Sequence, residues 1–77
     1  MIYRDRFVIE ISFHARKRAM KRDISFDMVE ATLKTGKIKR FGKNGFKFIS
    51  KYKSGNVICI GERKIGNYIK ILTIEWG

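Results

Sequence analysis

GKIKRFGKNGFKFISKYKSGNVICIGERKIGNYIKILTIEW, residues 36–76, is the stretch on which the fold turns. It holds four short apolar or β-branched runs, Ile38–Phe41, Phe46–Tyr52, Val57–Ile60 and Tyr68–Trp76. The separators Gly42-Lys43-Asn44-Gly45, Ser54-Gly55-Asn56 and Ile65-Gly66-Asn67 are rich in residues that accept positive φ, so the runs read as strands joined by hairpins. Upstream the period changes. Ser12 is an N-cap candidate, Phe13–Arg22 contains only good or neutral helix formers, and Asp23 or its predecessor closes that helix. Ser25 caps a second helix with Asp27 in its first turn, Phe26, Val29 and Leu33 repeat at i, i+3, i+7, and Gly36 is a C′ stop. Residues Arg6–Ile11 alternate as a short strand or an extended lead-in. The expectation is one α+β domain spanning 1–77, with two N-terminal helices packed on one face of a four-stranded antiparallel meander sheet.

Size and composition narrow the classes. A chain of 77 residues buries only about 60% of its unfolded surface, so a dimer or a partner would help to stabilise it. The single Cys59 rules out an internal disulfide framework and a cysteine-rich zinc site, and the setting expected is cytoplasmic. No apolar run approaches the roughly 20 residues that span a bilayer, and no membrane contact is expected. Eighteen basic residues face seven acidic ones, a net +11, and the excess is uneven: 8 basic and 5 acidic up to Gly36, then 10 and 2. His14–Arg22 and Lys37–Lys53 contain no acid at all. Cations clustered in this way suit a polyanion or an acidic protein, with affinity that falls as salt rises.

On a wheel of 100° per residue, with Phe13 at zero, His14, Arg18 and Arg22 fall at about 100°, 140° and 180° and form one row. Lys17 and Lys21 flank it, while Phe13, Ala15, Ala19 and Met20 occupy the side expected to face the sheet. Guanidiniums one turn away disfavour a proton on the imidazole, as a general base requires, and they offer bidentate contacts to a phosphate. Arg16, at about 300°, falls among the apolar residues and is expected to pair with Glu10 or Glu30. Metal chemistry lacks a motif: there is one histidine, and the acids stand singly. Cys59 lies inside an apolar run and reads as a core thiol. In the third run Lys47, Ile49 and Lys51 share one sheet face, so Lys47 and Lys51, with Tyr52 as a stacking aromatic, are candidate RNA contacts beside Lys17 and Lys21. Tyr68 and Trp76 are further stacking candidates, although rings of this kind more often pack in a core.

The row His14-Ala15, Arg18, Arg22 followed by Ile24-Ser25 fits HAxxRxxxRxIS. That pattern resembles the DUF4258 family, whose members are similar to ribonuclease toxins of the barnase, colicin and RelE-like grouping. The likeness extends through the second helix ending in Thr35-Gly36-Lys37 and the segment from Asn67 to Ile74. It implies that His14, Arg18 and Arg22 are active residues and that Thr73, on the closing strand, joins them. One departure is Asp23, where the family commonly has glycine; aspartate tolerates the same left-handed turn but puts a negative charge beside Arg22.

Residues and resemblance together lead to a small metal-independent endoribonuclease, without cofactor, acting as the toxin of a toxin–antitoxin pair. His14 would take the proton of an RNA 2′-hydroxyl attacking the adjacent phosphate, and Arg18 and Arg22 would stabilise the charge that develops. Lys47, Lys51, Tyr52 and Tyr68 are the candidates for a general acid. Expected partners are RNA, free or on the ribosome, an acidic antitoxin and a second copy of the chain. The alternative is a non-catalytic module that binds nucleic acid or an acidic protein through the same cations.

Overall fold

Ser12 and Ser25 both sit in extended backbone and accept hydrogen bonds from the amides of Ala15 and Met28, starting α1 (Phe13–Lys21) and α2 (Phe26–Thr35). In a computed structural model of all residues, Met1–Gly77, these helices follow a short hairpin, β1 (Ile2–Arg4) and β2 (Phe7–Ile11). They precede β3 (Lys37–Phe41), β4 (Gly45–Tyr52), β5 (Gly55–Arg63) and β6 (Tyr68–Trp76). The last four strands pair antiparallel in succession. All six belong to one sheet of order β1-β2-β6-β5-β4-β3, in which β2 lies parallel to β6, and the sheet curls into a half-barrel.

The expected four-stranded antiparallel meander under two N-terminal helices is therefore corrected to a six-stranded mixed sheet, with the helices inserted after its first hairpin. The reason is local brevity combined with a distant partner. β1 has three residues, too few to show a period, and its turn places Asp5 at φ 52 without a glycine to announce it. β2 finds its partner about 60 residues along the chain, through Ile9 opposite Ile69 and Ile11 opposite Ile71. Hairpin logic cannot foresee that pairing.

Alternation along the strands sends Ile9, Ile11, Phe46, Phe48, Val57, Cys59, Ile69, Ile71 and Ile74 into one core, where Val29 and Leu33 of α2 join them. From α1 only Ala15 and Ala19 are buried. Phe13 and Met20, expected against the sheet, are each 76% exposed. The two small alanines let the helix lie close to β6, and an arc that narrow leaves the flanking large side chains outside. Arg4 ties β1 to the end of α2, donating from Nη1 to the carbonyls of Gly36 at 2.6 Å and Leu33 at 3.3 Å. Gly36 itself is extended rather than left-handed. Its role is close approach: a Cβ there would stand 2.5 Å from the Thr32 carbonyl oxygen and 2.8 Å from that of Ile49. Burial pushes the Cys59 thiol up to about 12. No helix is long and apolar enough to cross a membrane.

Two stability predictions follow from this packing. Gly36→Ala should lose about 3 kcal/mol in urea unfolding, while Met20→Ser should stay within about 0.5 kcal/mol of the parent; equal costs would mean that the packing is misassigned. Above pH 9.0, the ordinary value for a thiol, the unfolded chain loses the Cys59 proton and the fold keeps it until about 12. The unfolded state then binds fewer protons, so stability falls with rising pH across that window. Cys59→Val should flatten this part of the alkaline slope.

Candidate functional site

The end of β2 launches α1. The Ser12 amide donates to the Ile71 carbonyl at 3.1 Å, and its hydroxyl then caps the helix through Ala15 at 3.0 Å. With Ala15 and Ala19 turned to the sheet at about 200° and 240° on the wheel, the row of His14, Arg18 and Arg22 climbs away from it on one side. Exposure follows that angle. Arg22, nearest the contact, is half-buried and donates from Nη1 to the Ile74 carbonyl at 3.2 Å, whereas His14 and Arg18 are exposed. Trp76 fixes the same corner from below, its indole Nε1 donating to the Arg22 carbonyl at 2.7 Å.

His14, Lys17, Arg18, Lys21 and Arg22 line an open recess of about 430 Å³ that contains no apolar and no acidic side chain. Within it Arg18 Nε donates to His14 Nε2 at 3.2 Å. With Nε2 as the acceptor of this bond, the ring N–H falls on Nδ1 and the Nε2 lone pair faces a guanidinium. Of 18 basic side chains only Lys34 and Lys64 form ion pairs, with Glu30 and Glu62, so no cation of the recess is neutralised by an acid. Asp23 has the left-handed φ of 55 that the turn demands, and it forms no ion pair with Arg22.

The remaining expected residues do not join this row. Thr73 lies opposite Ile60, and because the neighbouring pair Cys59 and Ile74 faces the core, Thr73 points out on the far side of the sheet from α1. Lys47, opposite Ile60 on the next strand, and Lys51 share that far side. The general-acid and stacking candidates stand apart as well. Tyr52 packs against the core and donates its hydroxyl to the Met28 carbonyl at 3.3 Å, and Tyr68 lies at the start of β6, opposite Val8. Trp76 is a tether of α1. Arg16 is corrected: it is exposed, forms no ion pair with Glu10 or Glu30, and rests its guanidinium 5.6 Å from the centre of the Phe26 ring. No group of three His, Cys, Asp or Glu side chains is placed to share an ion. The hydrogen bond between His14 and Arg18 was legible as an i, i+4 spacing, whereas the Arg22 and Trp76 tethers span more than 50 residues and carry no local signal.

Comparison with known proteins gives one match. The profile of the family described as "Domain of unknown function (DUF4258)" covers residues 11–75, from the end of β2 to the end of β6. No curated protein and no solved structure matches the chain.

The tautomer is a direct test of the site. Long-range proton–nitrogen correlations of the neutral imidazole should show the proton on Nδ1, and Arg18→Ala should release the lock and populate the Nε2–H form. A native His14 protonated on Nε2 would contradict this arrangement.

Proposed function

The chain belongs to the DUF4258 family over residues 11–75, and from the site it carries there we propose that it is a metal-independent endoribonuclease. The observation that supports this reading most is the hydrogen bond from Arg18 Nε to His14 Nε2 inside a recess lined only by His14 and four cations. An imidazole whose Nε2 lone pair faces a guanidinium brings together what RNA transesterification needs, a base next to groups that bind and stabilise a phosphate. The 2′-oxygen attacks phosphorus while its proton passes to His14 Nε2. The bond from phosphorus to the 5′-oxygen breaks, leaving a 2′,3′-cyclic phosphate and a 5′-hydroxyl.

Arg18 and Lys17 contact the phosphate from the exposed side of the row. Arg22, anchored on Ile74, supplies a fixed charge at its base. Apart from the arginines and His14 itself, the proton donors lining the recess are Lys17 and Lys21, which gives one of these lysines the task of protonating the leaving 5′-oxygen. DNA lacks the attacking hydroxyl and resists. A small acidic protein that covers this cationic face would block substrate, which is the inhibitor expected of a toxin–antitoxin pair.

The test is cleavage of end-labelled RNA in the presence of EDTA by the wild type and by His14→Ala. The variant should lose at least about 100-fold in rate while its anisotropy-measured binding to a 2′-O-methyl oligonucleotide changes by less than about twofold. Discrete cuts that survive in His14→Ala sink the assignment of the base. If neither protein cuts free or ribosome-bound RNA and binding persists, the chain is a nucleic-acid-binding module instead.

A further inference from the structure

Three arginines from separate segments meet at the end of the sheet away from α1. Arg6 lies in the β1–β2 turn, Arg40 on edge strand β3 and Arg63 at the end of β5; with Asp5, Phe7 and Asn67 they line an open recess of about 470 Å³. α1 is tied to the other end of β6, through Ile71, Ile74 and Trp76.

The frame beneath this recess is well anchored. The Val8 amide donates to the Asn67 carbonyl at 3.0 Å, and the Arg63 amide donates to that of Asn44 at 2.8 Å. Arg40 lies over the Phe46 ring at 4.0 Å from its centre, and the edge of Phe7 packs on Phe46 at 5.3 Å between centroids. A guanidinium held over a ring has less freedom left to lose when it binds. Yet its N–H groups have no partner in the protein. The arginine side chains that hydrogen-bond are Arg4, Arg18 and Arg22, and no arginine forms an ion pair.

Charge narrows the ligand. Three guanidiniums against the single carboxylate of Asp5 leave the recess at a net +2. A phosphodiester carries one negative charge, whereas a terminal phosphate monoester carries about −1.5 to −2 at neutral pH and offers three acceptor oxygens. Arginine forks match such oxygens two at a time. We propose that Arg6, Arg40 and Arg63 form a binding site for a phosphate monoester, either the 5′-phosphate end of a polynucleotide or a small phosphorylated compound. This site is separate from the His14 row and stands whether or not that row cleaves RNA.

Two 2′-O-methyl oligonucleotides that differ only in a 5′-phosphate decide the matter, because neither has a free 2′-hydroxyl to react. The phosphorylated one should bind about tenfold tighter, the worth of one well-made charge-assisted contact. Arg40→Gln combined with Arg63→Gln should erase that ratio, and Arg6→Gln, an exposed turn position, should reduce it without touching the sheet. His14→Ala should leave it unchanged, so failure here and failure of the ribonuclease reading are told apart. Should the two oligonucleotides bind equally while inorganic phosphate shifts the Arg40 and Arg63 side-chain resonances, the site stands with a small phosphorylated ligand. Equal binding without such shifts, or a ratio that survives the Arg40 and Arg63 substitutions, overturns the proposal.

Discussion

The parallel pairing of β2 with β6 is the constraint from which the rest of the molecule follows. It sets Ile9 against Ile69 and Ile11 against Ile71, and the next amide, that of Ser12, continues the pattern by donating to the Ile71 carbonyl. One residue thus ends a strand and caps a helix. A slip of a single position would turn Ile9 and Ile11 out of the core. It would also carry α1 along β6, taking Ala15 and Ala19 off their seat and Arg22 away from the Ile74 carbonyl. Position and tilt of the cationic row are consequences of strand register.

The electrostatics have a cost that the core must offset. With a net charge of +11 and two ion pairs, both of them exposed, the fold gains little from attraction among side chains and loses some stability to self-repulsion. What opposes this is apolar: a single cluster of 15 buried residues beneath both helices. The free cations gather at separate places on the molecule, along α1 at one end of β6 and around Arg40 at the other end of the sheet. Lys47 and Lys51 add a third group on the outer sheet face. Within the basic tract of the sequence, Lys37, Lys39, Lys47 and Lys51 share that outer face by register, and the pleat turns Arg40 to the other side, over Phe46.

Local chemistry was legible in the sequence, and distant pairing was not. Ser12 and Ser25 announced both helices because a cap is written in the residue itself and its next three neighbours. The row of His14, Arg18 and Arg22 was equally readable, being fixed by helical geometry alone. β1 and the β2–β6 pair escaped because three residues hold no period, and because a parallel partner far along the chain leaves no mark on either strand. Phe13 and Met20 misled for a different reason. Hydrophobicity predicts which side chains gain from burial, but contact width is set by the smallest residues at the seat, here two alanines. Arg6, Arg40 and Arg63 stood unremarked because no sequence spacing relates a turn, an edge strand and a strand end.

The same alanine seat grades the row from anchored to free, and that gradient bears on how the proposed base is governed. Arg22 is committed to Ile74 and cannot move without loosening the corner that Trp76 also holds. Arg18, fully outside, has a choice of acceptors. In the free protein it donates to the Nε2 nitrogen of His14. A phosphodiester offers an anionic oxygen at the same place, and pairing the guanidinium with an anion adds an attraction between opposite charges that a neutral acceptor lacks. If the row acts as proposed, exchange of the imidazole for a phosphate favours Arg18 when substrate arrives. That exchange would free the His14 Nε2 lone pair for the 2′-hydroxyl proton of the proposed reaction. On that reading the base is covered by Arg18 in the absence of phosphate and uncovered by its arrival, through the movement of one side chain and no loop.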